Sequence, residues 1–137
     1  MASMNIYLDI DGVLLINEKH ASPYASEFIE YVLKRFPNTT YWLTTHCWRG
    51  EDRTQEILEP VLDKDTLELI DKIQPTDWGE NKTDAIDFSR PFLWFDDDLY
   101  DEERMVLQQH NSLDGFVLID LHKDRFQLQK LVDNFPL

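Results

Sequence analysis

Four short runs of continuous apolar residues limit what this chain can become: Ile6-Tyr7-Leu8, Tyr41-Trp42-Leu43, Phe92-Leu93-Trp94-Phe95 and Phe116-Val117-Leu118-Ile119. A strand with one wet face alternates apolar and polar residues, and these runs do not. Both of their faces are therefore expected to be covered, as in a parallel sheet. Parallel neighbours need long crossovers, and helix-length segments lie between the runs. The expected fold class is α/β, a three-layer α/β/α domain with a Rossmann-like parallel sheet of about five strands and right-handed crossovers. A fifth strand is placed near Asp71–Ile73, within a segment, residues 66–74, whose pattern does not separate helix from strand.

The connecting helices leave clearer marks. Ser22 is expected to cap a helix with Pro23 at its first position. Ala25, Phe28, Ile29, Val32, Leu33 and Phe36 follow at helical spacing, and Pro37 ends the run. A second helix is expected over about Glu51–Leu58, stopped or kinked at Pro60. Asp101–His110 has acids in its first turn and a histidine in its last, matching the helix dipole. Leu128, Leu131, Val132 and Phe135 form the apolar stripe of a final helix.

With 137 residues and no repeat or linker, the chain is expected to be one domain over residues 4–137, with Met1–Ser3 an added remnant before a native Met4. Twenty-seven Asp and Glu against 13 Lys and Arg give a net charge of −14, which argues against binding nucleic acid through a broad basic face. No apolar stretch is long enough to span a membrane, and no secretory signal is visible. A lone cysteine, Cys47, allows no internal disulfide. The expected location is cytoplasmic, as a monomer or small homo-oligomer.

Chemistry enters at the strand ends. The first, second and fourth expected strands finish on Asp9, Thr44 and Asp96, and ligands of open parallel sheets sit beyond the carboxyl ends of the strands. In Asp9-Ile10-Asp11-Gly12-Val13 the two acids point to one side of an extended chain, and Gly12 permits close backbone approach. Adjacent carboxylates in a cleft need a cation or a shared proton. The plainer alternative is a strand-end acid before an Asp-Gly turn. Asp96-Asp97-Asp98 is a second acidic cluster, suited to a hard divalent ion or, more simply, to capping the next helix. Lys82 is by default a solvated lysine at a helix start. Ahead of the fourth strand, it can also face a phosphoryl group.

In order along the chain, Asp-x-Asp-Gly-Val, Leu43-Thr44, Lys82 and Asp96-Asp97 resemble the four-motif set of the haloacid-dehalogenase-like (HAD) hydrolase superfamily over residues 5–98. The resemblance implies a phosphomonoester hydrolase, a phosphatase dependent on Mg²⁺. Asp9 would be the nucleophile that forms an aspartyl-phosphate, and Asp11 the general acid and then base. Thr44 would bind the phosphoryl oxygens, although Thr45 follows it and is a second candidate. Lys82 would neutralise nucleophile and phosphate. Metal binding would fall to the Asp9 carboxylate, the Asp11 main-chain carbonyl and Asp97 or Asp96. A carboxylate cannot approach a phosphate dianion unless their charges are screened, so cation and lysine are both needed. Asp11 serves as an acid only if its pKa is held apart from that of Asp9.

The intervals from Gly12 to Leu43 and from Thr45 to Asn81 leave no room for a cap domain; residues 14–21 suffice for a small flap. The implied form is a HAD-like core without a cap domain, acting on a phosphorylated substrate of unknown class, large or extended in shape. Two alternatives stand beside it. One is a non-catalytic Mg²⁺- or partner-binding module on the same scaffold. The other is a cysteine phosphatase, because His46-Cys47, five residues, then Arg53-Thr54 matches its nucleophile loop. That loop is normally small and glycine-rich; here it is bulky and carries Glu51 and Asp52. Response-regulator receivers share the acid pair, Thr and Lys, but in an order this chain does not follow. Trp48 and Trp78 fall in loops on the motif-bearing side and are expected to be partly buried packing.

Overall fold

A computed structural model describes residues 4–136. Met1–Ser3 and the last residue of the expected domain, Leu137, lie outside the described residues. The elements are β1 (Asn5–Leu8), β2 (Leu15–Asn17), β3 (His20–Ala21), α1 (Ala25–Arg35), β4 (Thr40–Trp42), β5 (Cys47–Trp48), β6 (Glu51–Asp52), α2 (Thr54–Leu58), α3 (Lys64–Ile70), β7 (Phe92–Asp96), α4 (Asp101–Gln109), β8 (Phe116–Leu118) and α5 (Gln127–Asp133). Short 3-10 turns at Lys82–Ala85 and Leu113–Gly115 precede β7 and β8.

The fold is α/β, with a four-stranded parallel sheet in the order β4-β1-β7-β8 and five helices, compatible with a Rossmann-like core. All four apolar runs contribute to this sheet. The expected fifth strand is not formed: α3 occupies the start of that segment, and pairing shrinks to one bridge between Tyr41 and Gln74. The pleat divides the apolar residues between two clusters. Ile6, Leu8, Leu93 and Phe95 pack with Phe28, Ile29 and Val32 of α1 and Leu128 of α5. Tyr7, Phe92 and Trp94 pack with Leu43, Ile86 and Leu107 of α4. Burying both faces is what continuous apolar strands require.

Two local expectations need correction. Ser22 does not cap α1; its hydroxyl donates to the Val13 carbonyl at 2.6 Å, and α1 starts after Tyr24, whose φ of 65° breaks the chain direction. The helix expected from Glu51 begins at Thr54, because Glu51–Asp52 pairs antiparallel with Cys47–Trp48. Its two-residue loop, Arg49-Gly50, has both residues at positive φ, as a tight hairpin demands. The region expected to form a small flap is the β2–β3 hairpin. No helix among the described residues is long and apolar enough to cross a membrane.

Candidate active site

Strand register assembles the acids. β1 runs beside β7 with Leu8 opposite Phe95, so the next residues, Asp9 and Asp96, emerge together at the carboxyl edge. The Asp9 main-chain N–H donates to the Phe95 carbonyl at 3.0 Å, and Ile119 N–H donates to the Asp96 carbonyl at 2.9 Å. Both acids are therefore held by a sheet ladder and not by a loop. Asp97 follows at once, and Asp9, Asp96 and Asp97 can each offer a carboxylate oxygen within 4.8 Å of the others. Gly12 makes room for this: its φ is 77°, and a Cβ there would strike the Asp97 carboxylate, with Cγ at 2.6 Å.

One ammonium serves the cluster. Lys82 Nζ donates to Asp96 Oδ2 at 2.7 Å and lies 3.5 Å from Asp9 Oδ1. Asp96 is saturated further by the Trp94 indole N–H at 3.1 Å on Oδ2 and by Asp98 N–H at 3.2 Å on Oδ1. Glu103, buried in the first turn of α4, fixes the lysine's backbone: its carboxylate accepts from Lys82 N–H and from Tyr100 N–H, each at 3.1 Å.

Charge balance is incomplete in this arrangement. Burial, then repulsion from Asp9, lifts the Asp96 carboxyl to about 7 despite the lysine. Burial and the neighbouring Asp96 lift Asp97 to about 6. Burial also raises Asp9, against the pull of Lys82. For Lys82, burial acts downward, and the charges of Asp9 and Asp96 outweigh it, leaving the ammonium above its ordinary value. Three carboxylates sharing one cation have an excess of negative charge and hard oxygen donors. That donor set can hold a metal ion.

An open cavity of about 370 Å³ covers the cluster, with Asp9, Asp11, Thr45, Trp78, Lys82, Asp97 and Tyr100 on its wall. Asp11 stands apart from the three clustered acids. Its side chain is 60% exposed, and its Oδ2 is 2.8 Å from His46 Nε2. Of the two threonines, Thr44 is fully buried and its hydroxyl accepts from His46 N–H at 3.3 Å, whereas Thr45 lies on the cavity wall.

Cys47 and Arg53 are not assembled into an anion cradle. The Cys47 thiol is buried and donates to the Thr76 carbonyl at 3.2 Å, and burial raises its pKa away from the thiolate. The stretch between them is the β5–β6 hairpin, and Arg53 pairs with Glu56 at 3.1 Å. Trp78 packs as expected, its indole N–H donating to the Cys47 carbonyl at 3.0 Å; Trp48 rests against it at 6.0 Å and stays 41% exposed.

Glu103 and the contact of His46 with Asp11 are the features that sequence reasoning missed. Glu103 is one of three first-turn acids of α4, and its signal is its position three residues after Tyr100, where a Glu reaches back to an N-cap amide. His46 had a signal only as the residue beside Cys47. No family model, curated protein or solved structure matches this chain.

Proposed function

We propose that this chain is a Mg²⁺-dependent phosphomonoester hydrolase built on a three-layer, HAD-like core without a cap, working through an aspartyl-phosphate on Asp9. One observation carries this reading. The β1–β7 register brings Asp9, Asp96 and Asp97 together beside a partly buried lysine, at the sheet edge where ligands of parallel sheets bind. The two apolar clusters on alternate strand residues support the three layers, and the hairpin-sized insertions support the absence of a cap.

The roles follow from the surroundings of each group. An Asp9 oxygen attacks phosphorus, forming a new P–O bond as the bond to the substrate alcohol breaks. Asp11, on the cavity wall, gives its proton to the departing oxygen. It then takes a proton from the water that attacks the aspartyl-phosphate, releasing inorganic phosphate and restoring Asp9. Lys82 presents positive charge to the phosphoryl oxygens while keeping Asp9 in place, and the Thr45 hydroxyl is the candidate donor to those oxygens. Mg²⁺ would be held by the Asp9 carboxylate, the Asp11 main-chain carbonyl and Asp97, and would supply the positive charge that lets two anions meet. Asp97 suits that place better than Asp96, whose oxygens are already committed to Lys82, Trp94 and Asp98. The proposed setting is cytoplasmic, as a monomer or small homo-oligomer.

The test is hydrolysis of p-nitrophenyl phosphate and a panel of phosphorylated metabolites, peptides and nucleic-acid ends. Turnover that needs Mg²⁺, stops with EDTA and is lost in Asp9→Asn supports the proposal. Loss only in Cys47→Ser would replace it with cysteine chemistry, and metal binding without turnover on any substrate would replace it with a binding module.

A further inference from the structure

The Asp11–His46 contact has no role in the chemistry above, yet it is built with care. His46 is a rigid post. Its main-chain N–H donates to Thr44 Oγ1 at 3.3 Å, its carbonyl accepts from Arg53 N–H at 2.8 Å, and the next residue begins the β5–β6 hairpin, locked by the Trp78 indole on the Cys47 carbonyl. Its side chain is only 22% exposed. Asp11 is the opposite: 60% exposed and followed by Gly12 at positive φ, it would sample several rotamers if left alone. His46 Nε2 occupies Asp11 Oδ2, and among the described residues Oδ1 has no partner.

Resting on the hydrolase reading, we propose that His46 is the positioning residue of the acid/base step: by holding Oδ2, it keeps Asp11 over the cavity with Oδ1 turned to the leaving-group oxygen. Pinning one oxygen removes the rotational freedom that proton transfer would otherwise have to overcome, and a carboxyl misplaced by about 1 Å can cost on the order of 100-fold in rate. Among the described residues the His46 side chain bonds to Asp11 and to none of the three clustered acids, so its contribution passes through Asp11.

A positioning role through a general acid has a signature that a structural role lacks. Protonation matters for a poor leaving group and little for a good one. The value of kcat/KM reports the step that releases the alcohol, so it should be measured on p-nitrophenyl phosphate and on an alkyl phosphate such as glycerol phosphate. In His46→Ala the alkyl substrate should lose roughly 10- to 100-fold and the aryl substrate no more than about threefold. The variant His46→Gln, whose amide can still donate to Asp11, should recover most of the alkyl activity, and Asp11→Asn should reproduce the pattern more severely. Equal losses on both substrates, or none, would overturn the role of His46 while leaving the hydrolase intact. Absence of turnover by the wild type on every substrate would overturn the hydrolase reading and this inference with it.

Discussion

The Lys82 ammonium donates to Asp96 at 2.7 Å and stands farther, 3.5 Å, from Asp9. Its strongest bond therefore goes to the carboxylate least free to bind anything else, which leaves Asp9 available at the cavity floor. Lys82 is the counter-charge of two buried carboxylates, Asp9 and Asp96, and removing one partner of such a group leaves unpaired charge behind. Lys82→Met should destabilise the fold by about 3–5 kcal/mol near neutral pH and abolish turnover. Urea unfolding followed by tryptophan fluorescence measures the first, and the phosphatase assay the second.

Acidity acts on the metal-free protein in an unusual direction. The folded chain holds the Asp96 proton up to about 7 and the Asp97 proton up to about 6, against an ordinary 3.8. Folding binds these protons more tightly than the unfolded chain does. Their contribution to stability is therefore full below about pH 4 and is lost as pH rises towards 7, by an amount on the order of a few kcal/mol for the buried Asp96 and much less for Asp97, which is exposed and screened by solvent. Urea midpoints in EDTA between pH 5 and 8 should show this fall. Added Mg²⁺ should raise the midpoint more at pH 7.5 than at pH 5, where protons compete for the same oxygens.

Gly12 is needed for two separate reasons: its positive φ, and the Asp97 carboxylate that fills the space of a Cβ. Gly12→Ala should cost more than the roughly 1–2 kcal/mol of the backbone conformation alone, since Asp97 must also move. The stabilisation by Mg²⁺, read as a shift in thermal midpoint, should largely vanish.

Cys47 is a packing residue. Cys47→Ser should retain turnover within about twofold and lose about 1 kcal/mol of stability, because a hydroxyl replaces a well-packed thiol on the Thr76 carbonyl. Treatment of the folded wild type with iodoacetamide should leave activity unchanged.

What the sequence made legible, and what it hid, divides along physical lines. Continuous apolar runs report burial on both faces, so Asp9, Thr44 and Asp96 at their ends could be placed on one rim of the sheet, while the adjacency of β1 and β7 that makes Asp9 and Asp96 neighbours leaves no mark in the spacing. Lys82 came with them because it precedes β7 closely. The choice between Thr44 and Thr45 depends on which way one side chain leaves a strand end, and period-2 logic fails where the strand stops. The β5–β6 hairpin was hidden because its loop is Arg49-Gly50, without the Asn or Asp that usually flags such a turn. His46 reaches Asp11 across 35 residues of sequence, a contact set by that hairpin and by no local pattern. The fifth strand failed because residues 64–70 satisfy a helix capped by Asp63, leaving too few residues for more than the Gln74 bridge.

Binding of the ion itself is the most direct measurement. Calorimetric titration of Mg²⁺ into the metal-free protein at pH 7.5 should reveal one site, weakened at least about tenfold in Asp9→Asn and in Asp97→Asn, whose lost charge is a lost ligand. In EDTA, Asp97→Asn should unfold at slightly higher urea than the wild type, since repulsion within the cluster is relieved. A titration showing no binding, or binding indifferent to both substitutions, would contradict a cation site among these three aspartates.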